Sequence, residues 1–256
     1  MISDELRKGA VMEFAKDNRR LDGRGLNDYR KITVEKNVIG TAEGSARVKI
    51  GDTQVLVGVK IDPVEPYEDR PNEGTLTVDA EFLALAHETF EPGRPSEDSI
   101  ELARIVDRGI RSSEAIDLKA LVVEEGKAWG VFVDVYVLDH DGNMIDAAAL
   151  AAVTALQGMK VPKLVDGKVV RENASPLLLK EVPTYCTYAK VNDKILVDPT
   201  YTEEVAADAR ITMSVGDDML FAIQKAGSGA FTRAEVMDML DKTFETRKTL
   251  LTYITK

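Results

Sequence analysis

The stretch from Val131 to Met159 constrains the fold of this chain more than any other. Val131, Val133, Val135 and Val137 share one face of an extended segment, and Phe132, Asp134, Tyr136 and Leu138 share the other. That alternation predicts a strand with both faces largely covered. Asp139-His-Asp-Gly-Asn143 supplies turn chemistry, with Gly142 and Asn143 suited to positive φ. From Asp146 to Leu156 the run Asp-Ala-Ala-Ala-Leu-Ala-Ala-Val-Thr-Ala-Leu has no polar stripe. It predicts a helix buried on every side, with alanines that let it lie close to a sheet. The start of such a helix is a natural place for an anion, because its first N–H groups lack partners within the helix.

A strand-and-helix unit of this kind needs a sizeable core, and 256 residues with 44% hydrophobic and 30% charged composition can build one. The formal net charge of −11 excludes a generic polyanion binder, so any nucleic-acid contact requires a local basic cluster or a surface shared with a partner. Cys186 is the only cysteine, and His87 and His140 are the only histidines. No intrachain disulfide is possible and no zinc-type ligand set can be written. The segment Met1-Ile-Ser-Asp-Glu-Leu-Arg-Lys has no apolar core, and no run approaches membrane-spanning length. The expectation is a cytoplasmic chain without membrane association or cofactor.

Ser3 with Asp4 and Glu5 predicts the start of a helix over about 4–16, with a thin apolar stripe of Leu6, Ala10, Val11 and Phe14. Asp17 to Gly25 is turn-rich and basic, and its residue types favour a solvated connector. Lys31 to Asp62 predicts three strands, two of them joined at Gly51-Asp52, and Thr75 to Glu81 predicts another. Ser96, Glu97 and Asp98 predict a helix running to about Ser113. On it Leu102, Ile105, Val106 and Gly109 face one way, while Arg104, Arg108 and Arg111 align on the other side with Asp107 at their edge. Such a row is either a solvated basic face with local ion pairs or a set of phosphate contacts, and residue types leave both open.

Beyond the central helix, Val165-Asp-Gly-Lys-Val169 predicts a hairpin, and Thr184–Lys190, Ile195–Val197, Arg210–Val215 and Met219–Gln224 predict strands. Asp198 to Asp208 reads as an acidic loop in which Asp198 and Glu204 could share a magnesium ion, or simply face water. Thr232 and Glu235 form a capping box for a last helix reaching about Tyr253. Strands followed by a helix thus occur twice, which predicts an α/β (α+β) chain. It is read as a single domain, 1–256, of two similar halves over about 30–160 and 165–254.

Neither a Walker-type phosphate loop nor a G-x-G-x-x-G segment occurs, which argues against a small-molecule phosphotransferase. Arg20-Leu-Asp-Gly-Arg24, Pro71-Asn-Glu-Gly74, Glu101-Leu-Ala-Arg-Ile-Val-Asp-Arg108, the segment Val131 to Met159 and the loop from Asp198 together resemble the RNase PH family. The resemblance runs from about Lys16 to Thr249 and is closest to the non-catalytic RNase PH-like subunits of archaeal exosomes. It implies an RNase PH-like core fold and a hetero-hexameric ring of three heterodimers with a catalytic paralogue. Such a ring shortens single-stranded RNA from the 3′ end using phosphate, and RNA-binding cap subunits join it. Active members bind phosphate through a turn that ends in a hydroxyl residue and arginine, just before the buried helix. Here that turn is Asp141-Gly-Asn-Met-Ile-Asp146, without either. Of the family's aspartates in the following loop, Asp198 is retained, Glu204 stands at the second position and Arg210 at the third. A cation there opposes metal binding and proton transfer. The resemblance therefore implies a chain without catalytic residues of its own that places Arg104, Arg108 and Arg111 against the RNA backbone, Arg108 foremost. The rival expectation is an active exoribonuclease working through Asp198, Glu204 and Asp208.

Overall fold

A computed structural model describes residues 2–165 and 167–255. In chain order the elements are α1 (Ile2–Lys16), β1 (Ile32–Lys36), β2 (Gly44–Ile50), β3 (Thr53–Val64), β4 (Thr75–Phe82), α2 (Glu97–Ser112), β5 (Val122–Glu124), β6 (Lys127–Asp139) and α3 (Met144–Gln157). There follow β7 (Lys160–Val165), β8 (Lys168–Pro176), β9 (Thr184–Val191), β10 (Lys194–Val197), α4 (Tyr201–Ala206), β11 (Ala209–Val215), β12 (Leu220–Ala226) and α5 (Arg233–Thr255). The α/β class expected from the sequence holds.

The first sheet has the order β1-β2-β3-β6-β4, with β5 pairing the start of β6. Its neighbours are antiparallel except β4, which runs parallel to β6. Central β6 buries Val131, Val133, Val135 and Val137 on one face, as the alternation predicts. The second sheet, β10-β9-β11-β12, is antiparallel throughout. Between the sheets lies α3, every residue from Asp146 to Leu156 buried. Gly44 on β2 lets the helix backbone lie close to the sheet, since an added Cβ would come within 2.3 Å of the Ala155 carbonyl oxygen. The apolar cluster around α3 extends from Val48 and Ile50 to Tyr185, Leu250 and Ile254.

The predicted helix start at Ser96 is realised, its side chain accepting a hydrogen bond from the Ser99 N–H at 3.1 Å. So is the box at Thr232 and Glu235, closed by bonds of 2.6 and 3.2 Å. In the β7–β8 hairpin Val165 pairs with Lys168, while Asp166 lies outside the described residues. The thin N-terminal helix packs Val11 and Ala15 against Val191, Leu196 and Ala206, whereas the side chain of Ser3, its expected cap, lies outside the description.

Two expectations are corrected. Asp198 to Asp208 is not an open loop: Thr200 and Glu203 close a capping box that starts the short helix α4. Nor is Asp17 to Gly25 a solvated connector throughout, because Arg20 is only 3% exposed. Its guanidinium pairs with Glu203 through Nε at 2.8 Å and through Nη2, and donates to the Val197 carbonyl at 2.8 Å. A buried carboxylate and two strand-end carbonyls draw this arginine inward, and the connector is held down with it.

Candidate functional site

The turn from β6 into α3 is where the family likeness places phosphate chemistry. Gly142 (φ +80°) presses against the start of α4, and an added Cβ would lie 2.3 Å from the Thr200 carbonyl carbon. Thr53 Oγ1 accepts the Asp141 N–H at 3.0 Å and donates to the Gly142 carbonyl at 2.6 Å. Asn143, in the left-handed region at φ +52°, joins three carboxylates. Its Nδ2 donates to Asp198 at 2.7 Å and Asp146 at 2.9 Å, and its backbone N–H donates to Glu204 at 3.1 Å. The anion position at the start of α3 is thus served by acids of the chain itself.

Two of those acids, Asp198 and Glu204, are in turn engaged by arginines. Buried Asp198 accepts Arg30 Nε at 2.9 Å, Arg30 Nη2 at 2.7 Å, the Arg30 backbone N–H at 2.8 Å and Arg24 Nη1 at 3.0 Å. Burial alone would raise its pKa, but the hydrogen bonds and charge of Arg30, with Asn143, outweigh that and hold the carboxyl below its ordinary value. Arg30 spends its remaining donors on the carbonyls of Asp141 at 2.6 Å and Gly142 at 3.2 Å. An arginine therefore does reach the phosphate-type turn, from a position the local sequence pattern does not contain, and its donors are occupied.

Glu204 forms an ion pair with Arg210 at 2.8 Å, and the Glu204 charge, against a smaller opposing effect of burial, raises the arginine's pKa. Exposed Asp208 turns to another partner, accepting the Asn192 N–H at 3.1 Å. Asp198 and Glu204 share Asn143 but pair with different arginines, Asp208 stands apart, and among the described residues no cluster of three or more acidic, histidine or cysteine side chains is arranged to hold a metal. Beside the Glu204–Arg210 pair is a cavity of about 410 Å³ lined in part by Glu101, Phe90, His140 and Tyr201. The His140 ring stacks on Phe90 at 5.4 Å. Burial first, then His87 and the nearby arginines, push its pKa down to about 4.

The arginine row on α2 is present but its members are unequal. Arg104 is exposed and has no hydrogen bond or ion pair among the described residues. Arg108 is half-buried and donates through Nη1 to Gln224 Oε1 at 2.7 Å. Arg111 is paired with Asp107 at 2.6 Å and donates to the Leu76 carbonyl on β4 at 3.0 Å. Sequence reasoning missed Arg30, Asn143 and Gln224, and underrated Arg20 and Arg24. The available signal was four arginines, at 19, 20, 24 and 30, crowded into one short segment of an acidic chain.

Residues 28–162 match the model of domain 1 of the 3′ exoribonuclease (RNase PH) family, and residues 181–246 match domain 2. The chain belongs to that family. Among family relatives, the exosome complex component Rrp42 of Archaeoglobus fulgidus is 47% identical over 239 residues, covering 93% of this chain and 91% of the relative. A solved Archaeoglobus fulgidus exosome with RNA bound to the active site contains a chain that matches with a TM-score of 0.92 at 45% identity over 98% of each chain. A chain of an archaeal exosome core matches with a TM-score of 0.90 at 42% identity, covering all of this chain and 98% of the other.

Proposed function

We propose that this chain is a component of an archaeal-type exosome core, an RNA-degrading complex, and that it has no turnover of its own. The observation that carries the reading is the pairing of two of the three candidate carboxylates with arginines of the same chain, Asp198 with Arg30 and Arg24, and Glu204 with Arg210. A carboxylate locked in such pairs is a poor base and a poor magnesium ligand, and Arg30 has no donor left over for phosphate. The chain completes a hetero-hexameric ring of three heterodimers with a catalytic RNase PH-like paralogue, and cap subunits bind RNA above it. Its two strand-and-helix halves, about 30–160 and 165–254, form one domain. Arg104 and Arg108 hold the phosphate backbone of single-stranded RNA without reading sequence, and Arg111 serves mainly to fasten α2 to β4.

Phosphate-dependent shortening of a single-stranded RNA by this chain alone, the paralogue alone and the two together tests the reading. The mixture should far exceed the paralogue, with no shortening by this chain alone. Release of nucleoside diphosphates by this chain alone would overturn it and favour the active-enzyme alternative.

A further inference from the structure

The three arginines of α2 differ in what their neighbours do to their charge, and the difference at Arg108 is made by one residue of β12. Gln224 accepts from Arg108 Nη1 through Oε1 at 2.7 Å and donates from Nε2 to Glu101 Oε1 at 3.2 Å. Arginine can only donate and an ionised carboxylate can only accept, so both neighbours demand the same orientation of this amide. The amide thereby stands between Arg108 and Glu101, an acid of the same helix. One guanidinium nitrogen is fixed, the net charge is kept, and the other two nitrogens stay available. At Arg111, by contrast, Asp107 takes both Nε and Nη2.

The platform beneath this arrangement is rigid. Tyr185 donates to the Val106 carbonyl at 2.8 Å, and Gly109 lets α2 settle so low that an added Cβ would meet the Tyr185 hydroxyl oxygen at 2.0 Å. Helix α2 and the second sheet are therefore locked at the seam where Arg108 and Gln224 meet. Arg108 and Gln224 also line one small void at this seam, together with Ile105, Tyr185, Thr212 and Ser214.

From this geometry we propose that Gln224 is a positioning residue for RNA backbone binding, orienting Arg108 while insulating it from Glu101; the proposal rests on the reading of Arg108 as a phosphate contact. Replacing the amide by a carboxylate makes a direct ion pair with Arg108 and removes its charge from the RNA. Replacing it by an apolar side chain leaves the charge but frees the fork.

The test is binding of a fluorescent single-stranded RNA to the assembled complex over a range of salt, for Arg108→Gln, Gln224→Glu, the two combined, and Gln224→Leu. Arg108→Gln should weaken binding about tenfold and flatten the dependence of log affinity on log salt by about 0.7 per lost contact. Gln224→Glu should match it on both readouts, and the double variant, whose new carboxylate has lost its arginine partner, should bind more weakly than either single variant. Gln224→Leu should weaken binding about threefold at an unchanged salt slope, because the freed fork must be ordered on binding while its charge is kept. If Gln224→Glu fails to assemble, Gln224→Leu decides: weakened binding at constant slope supports the role, and wild-type binding overturns it. Wild-type binding and slope for Gln224→Glu, with Arg108→Gln impaired, would overturn the positioning role alone. Wild-type behaviour of Arg108→Gln would remove the phosphate contact itself, and the proposal with it.

Discussion

Asp198 is the most heavily bonded acid of the candidate site. Its carboxylate collects charged and amide donors from Arg24, Arg30 and Asn143. Asp198→Asn turns an NH2 toward some of them, and unfolding by denaturant should show a loss of about 3–5 kcal/mol. Because the folded pKa lies below the ordinary 3.8, the stability from this ion-pair network is present above that value and is lost as pH falls through the folded pKa. Buried Asp146 behaves oppositely. Burial pushes its pKa up to about 6, despite hydrogen bonds from Asn143, Thr187 and Tyr29 that pull it down. The folded chain therefore holds a proton there that the unfolded chain releases, and this contribution fades as pH rises from the ordinary 3.8 to about 6. A carbon-13 NMR titration of the Asp146 carboxyl should show a midpoint near 6, and a midpoint near 3.8 would contradict the assignment. The sequence made Asp198, Glu204 and Arg210 visible as residue types at telling positions. It could not show that Arg30 closes on Asp198 from 168 positions earlier, because no local pattern encodes a pairing made by tertiary folding.

Elements were far more legible than their junctions. The strand β6, the alanine-rich α3 and the hairpins were readable because alternation, lack of a polar stripe and turn residues are local signals. Helix α4 was missed although Thr200 and Glu203 stand at capping-box spacing, since its six residues bury too little apolar surface to show periodicity. Thr200→Ala should cost about 1 kcal/mol by thermal or chemical unfolding. The packing of α2 is decided at Gly109, where the sequence shows a small residue on the apolar face but not the Tyr185 hydroxyl it admits. Gly109→Ala should destabilise by about 1–3 kcal/mol through overpacking. Tyr185→Phe should recover part of that loss, an interaction that a double-mutant cycle would measure.

For the whole molecule, membership of the RNase PH family organises both what is shared and what has changed. The arrangement of sheets and helices is retained closely enough to superimpose on archaeal exosome chains, with TM-scores of 0.92 and 0.90. Within that frame, Asp198 and Glu204 are paired with arginines of the same chain. Among the described residues no helix is long and apolar enough to cross a membrane. On the function proposed above, the effects of this chain should appear only in the assembled complex.

The most direct measurement is the rate of nucleoside diphosphate release from RNA by the assembled complex carrying Glu204→Gln and Asp208→Asn in this chain. Neither carboxylate takes part in the reaction on this account, so the rate should stay within about twofold of the unmodified complex, far from the effect of losing a general acid or base. A fall of about a hundredfold with assembly intact would show that these carboxylates work in catalysis, and would contradict the central claim.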